Sequence, residues 1–126
     1  MTLRTVTSVK LGAVLAAALT VTAVPASATE CIAPSNPGGG WDFTCRTIGR
    51  VLGELGLVEG NVQVTNMPGG VGAVTFAMVA AERPDDEDLI VATSTVGVTQ
   101  MAQGRYPAPL ETMRYLAMLG ADVGVI

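Results

Sequence analysis

The chain has 126 residues, 49% of them hydrophobic, with seven basic and eleven acidic side chains and a net charge of −4. It contains no histidine, which removes Ser-His-Asp and Cys-His catalysis and His-ligated zinc from consideration within this chain. An acidic balance also argues against a nucleic-acid partner or an anionic membrane surface.

Arg4 and Lys10 precede an uncharged apolar run, Leu11 to Val24. Pro25 breaks the run, and Ala26-Ser27-Ala28 supplies an A-x-A cleavage site. This is the order of a secretory signal peptide over residues 1–28. The run is shorter than the ~20 apolar residues of a membrane span. A periplasmic or other extracytoplasmic location is therefore expected, with only transient membrane association. Losing the leader leaves five arginines, no lysine and eleven acids, a net charge of −6. An anion bound to such a protein must be held locally, by backbone amides or a helix end. In an exporting compartment Cys31 and Cys45 read as a disulfide. No metal ligand set and no cofactor motif is present.

Residues 29–126 make one α/β unit. Cys31-Ile32-Ala33 is an apolar first strand, followed by the turn-rich loop Pro34-Ser35-Asn36-Pro37-Gly38-Gly39-Gly40. Trp41, Cys45, Ile48, Val51, Leu52 and Leu55 recur at helical spacing, and Gly56 marks a stop. Asn61 to Asn66 alternates as a second strand. A second glycine loop, Asn66-Met67-Pro68-Gly69-Gly70-Val71-Gly72, opens a helix from about Ala73 to Glu82, which Pro84 ends. Pro84 to Asp88 reads as a solvated acidic turn. Leu89 to Ala92 is a buried parallel strand with Thr93-Ser94-Thr95 at its end. Gly97 to Gly104 reads as a short helix or structured loop, and Met113 to Leu119 as a fourth strand. The order implies a parallel sheet flanked by helices.

In such sheets ligands sit beyond the carboxyl ends of the strands. Three segments lie there: Asn36 to Asp42, Met67 to Gly72, and Thr93 to Thr95. Glycine-opened helix starts leave N–H groups and a positive dipole end for a carboxylate or phosphate. The candidate ligand residues are Asn36, Pro37, Gly38, Gly39, Gly40, Asp42, Gly69, Gly70, Gly72, Ser94 and Thr95. Asp42 reads as a helix cap or first-turn acid, or as a group that orients the ligand. Trp41 reads as core. The Ser94 and Thr95 hydroxyls either cap the chain end or meet the ligand. Neither glycine loop has the G-x-x-x-x-G-K-[ST] or G-x-G-x-x-G form of a nucleotide site.

The CIAPSNPGGGWDFTCR segment, the NMPGGVG loop, the P-D turn before LIVATST, and RYLAML resemble the periplasmic solute-binding receptors of tripartite tricarboxylate transporters. The family's PGG-x-x-D pattern falls on Pro37, Gly38, Gly39 and Asp42, and its N-x-PGG-x-G pattern on Asn66, Pro68, Gly69, Gly70 and Gly72. The resemblance implies a two-lobed, type II periplasmic-binding-protein fold whose cleft takes a di- or tricarboxylate. It also implies a two-subunit membrane transporter component as partner, and a chain that covers the first lobe only. Cys31 and Cys45 around the first loop look most like the tricarboxylate-binding branch. Many relatives carry a histidine in the loop after the third strand, where Thr95-Val96-Gly97-Val98 has none. A binding protein rather than an enzyme is expected. The alternatives are a secreted hydrolase using the glycine loops as an oxyanion hole, and a carboxylate-sensing receptor of the same fold. Hydrolysis needs a nucleophile with a base in reach, and after the leader the chain offers neither histidine nor lysine.

Overall fold

The computed structural model describes residues 28–121. The expected leader up to residue 27 and the last five residues lie outside them. Three parallel strands form the sheet: β1 (Glu30–Ala33), β2 (Gln63–Asn66) and β3 (Leu89–Val91). Their order is β2-β1-β3, with Cys31 opposite Val64 on one side and Ile90 on the other. The central strand is the most deeply buried, with Cys31, Ile32 and Ala33 at 1% exposure or less.

Alternation along the strands supplies two cores. Cys31, Ala33 and Ala92 point to one face, where Cys45, Trp41, Val62, Val64 and Ile90 complete a cluster. Helix α1 (Gly40–Glu54) covers that face. Phe76, Met101, Tyr106 and Ala108 form the other cluster, with Val91 packed against it. It is built from α2 (Ala73–Glu82), α3 (Thr95–Ala102) and the segment that follows.

The expected disulfide is present. Cys31 and Cys45 are bonded, with Cα atoms 5.6 Å apart, inside the distance a bridge requires. It ties the centre of β1 to the second turn of α1 and closes the first loop between them.

Glycine ends both outer helices in the same way. Gly56 (φ 65°) follows the last turn of α1; its N–H donates to the Gly53 carbonyl and that of Leu57 to the Leu52 carbonyl. Gly104 (φ 66°) follows α3, where the N–H groups of Gly104 and Arg105 donate to the carbonyls of Met101 and Gln100. Both are Schellman closures, which need a left-handed residue at that position. The segment left open between helix and loop is therefore α3.

Three expectations need correction. Met113 to Leu119 forms no strand. The run is apolar, but a strand also needs a neighbouring edge, and here Leu116, Met118 and Leu119 stand 60–88% exposed without a ladder. On α1, Val51 and Leu55 are exposed, because the buried stripe runs through Asp42, Cys45 and Gly49 instead. The acidic turn is not wholly solvated. Asp86 pairs with Arg83 (2.6 Å), which also pairs with Glu30 at the start of β1 (2.5 Å). Thr65 Oγ1 donates to Glu30 from β2 (2.5 Å). Burial pushes the Glu30 carboxyl up, but Thr65 and Arg83 outweigh it and leave it below the usual range.

Candidate functional site

With β1 central, the chain leaves β1 towards β2 and returns across it to β3. The loops after β1 and β3 flank the switch point where α/β sheets bind ligands. The loop after β2 joins them at the same edge. A Cβ added to Gly72 would stand 3.5 Å from the Pro34 side chain, so the first and second loops touch.

Asp42 organises this edge. It sits in the first turn of α1 and is 3% exposed. The Gly38 N–H donates to its Oδ2 at 2.8 Å, Arg46 Nε donates to the same oxygen at 3.0 Å, and Asn66 Nδ2 donates to Oδ1 at 3.0 Å. Arg46 Nη2 also lies 3.0 Å from Oδ1. The Arg46 guanidinium, the Gly38 amide and the Asn66 amide hold the carboxyl at a pKa of about 2 against the opposing effect of burial. Asp42 is thus the first-turn acid of the cap alternative, with every oxygen engaged inside the protein. The N-cap position belongs to Gly39, whose backbone is extended (φ −73°, ψ 168°) and carries no side-chain cap.

The amide account of the first loop narrows accordingly. Gly38 N–H is taken by Asp42, and Gly39 N–H donates to the Asn36 carbonyl at 3.0 Å. Of the three glycines expected to offer amides, Gly40 alone remains. It is joined by Trp41 and Asp42, whose N–H groups meet no acceptor among the described residues. Gly39 has a second role. A Cβ there would lie 3.0–3.1 Å from Ser35 and the Asn36 carbonyl, so the loop closes tightly over this position and a side chain there would have to push its neighbours back. Asn36 and Pro37 are exposed on the turn. Ser35 Oγ is buried without a partner among the described residues.

In the second loop Gly69, Gly70 and Gly72 all have positive φ (147°, 55° and 103°). Gly72 N–H donates to the Gly69 carbonyl at 2.9 Å, and Ala73 N–H to that of Gly70. The amides of Gly69, Gly70 and Val71 meet no acceptor among the described residues. Buried Thr75 Oγ1 donates to the Met67 carbonyl at 2.9 Å, and Met67 N–H to Ala33 of β1, also at 2.9 Å. The loop is therefore moored to the central strand.

At the third position Ser94 is the N-cap residue of α3 and makes no side-chain cap bond. Ser94 and Thr95 are exposed. A Cβ on Gly97 would stand 2.4 Å from Thr93 Oγ1, so this glycine admits the Thr93 side chain under the first turn. Two shallow surface concavities, one around Met101 and Pro107 and one around Arg46 and Asn61, are lined by none of the residues of the three loops.

Arg46, Asn66 and Thr75 fix the loops and were not among the expected site residues. Asn66 stood in the quoted loop pattern, which is the one signal for it. Arg46 carries no sequence signal beyond its charge, and nothing local marks Thr75.

No family model, curated protein or solved structure matches this chain.

The edge thus presents three helix starts with uncommitted amides and two exposed hydroxyls, beside an arginine whose charge Asp42 already neutralises. Such a set can hold an anion by hydrogen bonding. Among the described residues no group of three or more His, Cys, Asp or Glu side chains is gathered as metal ligands.

Proposed function

We propose that this chain is an extracytoplasmic solute-binding receptor that captures a di- or tricarboxylate, citrate-like in size, for a tripartite membrane transporter. In this reading the described unit is one lobe of a type II periplasmic-binding fold, and its loop edge is one wall of the cleft. The carrying observation is the coincidence at one sheet edge of three helix starts, at Gly40, Gly70 to Ala73, and Thr95, on an acidic chain that has no lysine after the expected leader. Each start offers N–H groups and the positive end of a helix dipole, so a ligand with two or more carboxylates engages more than one. The resemblance of the two PGG loops to the receptor family supports the same ligand class.

Calorimetry of the exported chain against citrate, smaller dicarboxylates, phosphate and an uncharged sugar tests the proposal. Binding should rise with the number of carboxylates. Tight sugar binding with no carboxylate response would overturn it.

A further inference from the structure

Val71 has left-handed backbone (φ 57°, ψ 32°) and is the one non-glycine residue with positive φ among the described residues. A β-branched side chain crowds its own backbone there, and the conformation persists only where the surroundings impose it. Packing of the Val71 side chain does not impose it, since that side chain is 56% exposed. The Gly72 N–H bond to the Gly69 carbonyl closes the turn around Gly70 and Val71. The Val71 carbonyl also accepts a hydrogen bond from the Tyr106 hydroxyl, thirty-five residues further along the chain. Tyr106 is 7% exposed, and its ring stacks on Phe76 with centroids 5.7 Å apart. Phe76 in turn lies under Gly72, where a Cβ would stand 3.3 Å from its ring. The hydroxyl therefore reaches the loop from a fixed aromatic platform.

We propose that Tyr106 is the positioning residue of the second glycine loop. Its hydroxyl holds Val71 left-handed, and that backbone turn aims the open amides of Gly69, Gly70 and Val71 at the ligand. The role in binding rests on the receptor reading above. The conformational role does not.

The test uses the full chain and three variants: Tyr106→Phe, Val71→Gly, and both together. Phenylalanine keeps the stack and removes only the donor. Glycine at 71 adopts the left-handed turn freely, so it should make the donor dispensable. Tyr106→Phe alone should weaken citrate binding about tenfold and speed hydrogen exchange at the Gly72 amide by a similar factor, as loss of one buried hydrogen bond implies. The double variant should stay within about twofold of Val71→Gly on both measurements. A purely structural tyrosine would lower the unfolding temperature equally in both backgrounds and leave affinity unchanged. Parental exchange at Gly72 in Tyr106→Phe would overturn the proposal, as would a double variant as impaired as Tyr106→Phe. A parent chain that ignores every carboxylate would overturn the receptor reading instead, and Gly72 exchange still decides the role of Tyr106 in the loop.

Discussion

Asn66 and Asp42 meet across the junction of the second strand and the first helix, Nδ2 to Oδ1 at 3.0 Å. The same Asn66 amide donates to the Ser35 carbonyl at 3.1 Å. One side chain at the end of β2 thus secures both the first loop and the acid that accepts from its Gly38 amide. Replacing Asn66 with alanine strands the Ser35 carbonyl and leaves Asp42 Oδ1 with Arg46 alone. The expected cost is about 2 kcal/mol of unfolding free energy, measured as a shift in the denaturant midpoint at constant slope. A shift near zero would mean that water replaces the amide without loss.

Asp42 sets a pH dependence whose sign follows from its environment. Its folded pKa of about 2 lies below the ordinary 3.8, so the folded state holds the proton less tightly than the unfolded chain does. The stabilisation is fully present above the unfolded value and is lost as pH falls through the folded one. Stability should therefore drop between about pH 4 and pH 2. Glu30, lowered by Thr65 and Arg83 against the effect of burial, and Asp86, lowered by Arg83, add to the same slope. Asp42→Asn should be less stable at pH 7 and show a flatter acid limb. An unchanged limb would show that Asp42 does not carry this dependence.

The disulfide closes the first loop, with fourteen residues of sequence separation. In the chain-entropy model its removal costs about 3 kcal/mol. Replacing Cys31 and Cys45 together with serine should lower stability by roughly that amount, read from thermal or denaturant unfolding. Both cysteines are bonded to each other and buried, so the oxidised protein should yield no alkylated thiol, folded or unfolded, until a reductant is added.

Gly49 is where α1 packs against Val62, the residue before β2. A Cβ there would lie 2.8 Å from Val62 Cβ. Gly49→Ala should cost about 1–3 kcal/mol through overpacking, despite alanine's better helix propensity. Val62→Ala in the same chain should recover part of the loss. A stabilised Gly49→Ala protein would contradict the observed packing.

Much of this architecture was legible because it is local. Apolar runs mark the first and third strands and alternation marks the second, and left-handed glycines at 56 and 104 end their helices through bonds within a few residues. What escaped is non-local. The fourth strand failed because an apolar run such as Met113 to Leu119 carries no record of which sheet edge is open to it. Asn66 and Asp42 are separated by 24 residues, and no periodicity announces their pairing. Nothing in the sequence around Tyr106 marks a partner, and only the folded chain brings its hydroxyl to Val71. The glycine loops were visible as possible anion sites. Which of their amides are consumed internally, as those of Gly38 and Gly39 are, depends on Asp42 and Asn36 turning back onto the loop.

On the receptor proposal, backbone amides at three helix starts hold the carboxylates. Titrating citrate into isotopically labelled chain and following each amide resonance tests this. The expected result is saturable, concerted shifts at Gly40, Trp41, Gly70, Val71 and Thr95, with Gly38 and Gly39 moving little because their N–H groups are already bonded. Shifts confined to the arginines or to the groove beside Arg46 and Asn61, with those five amides unmoved, would contradict it.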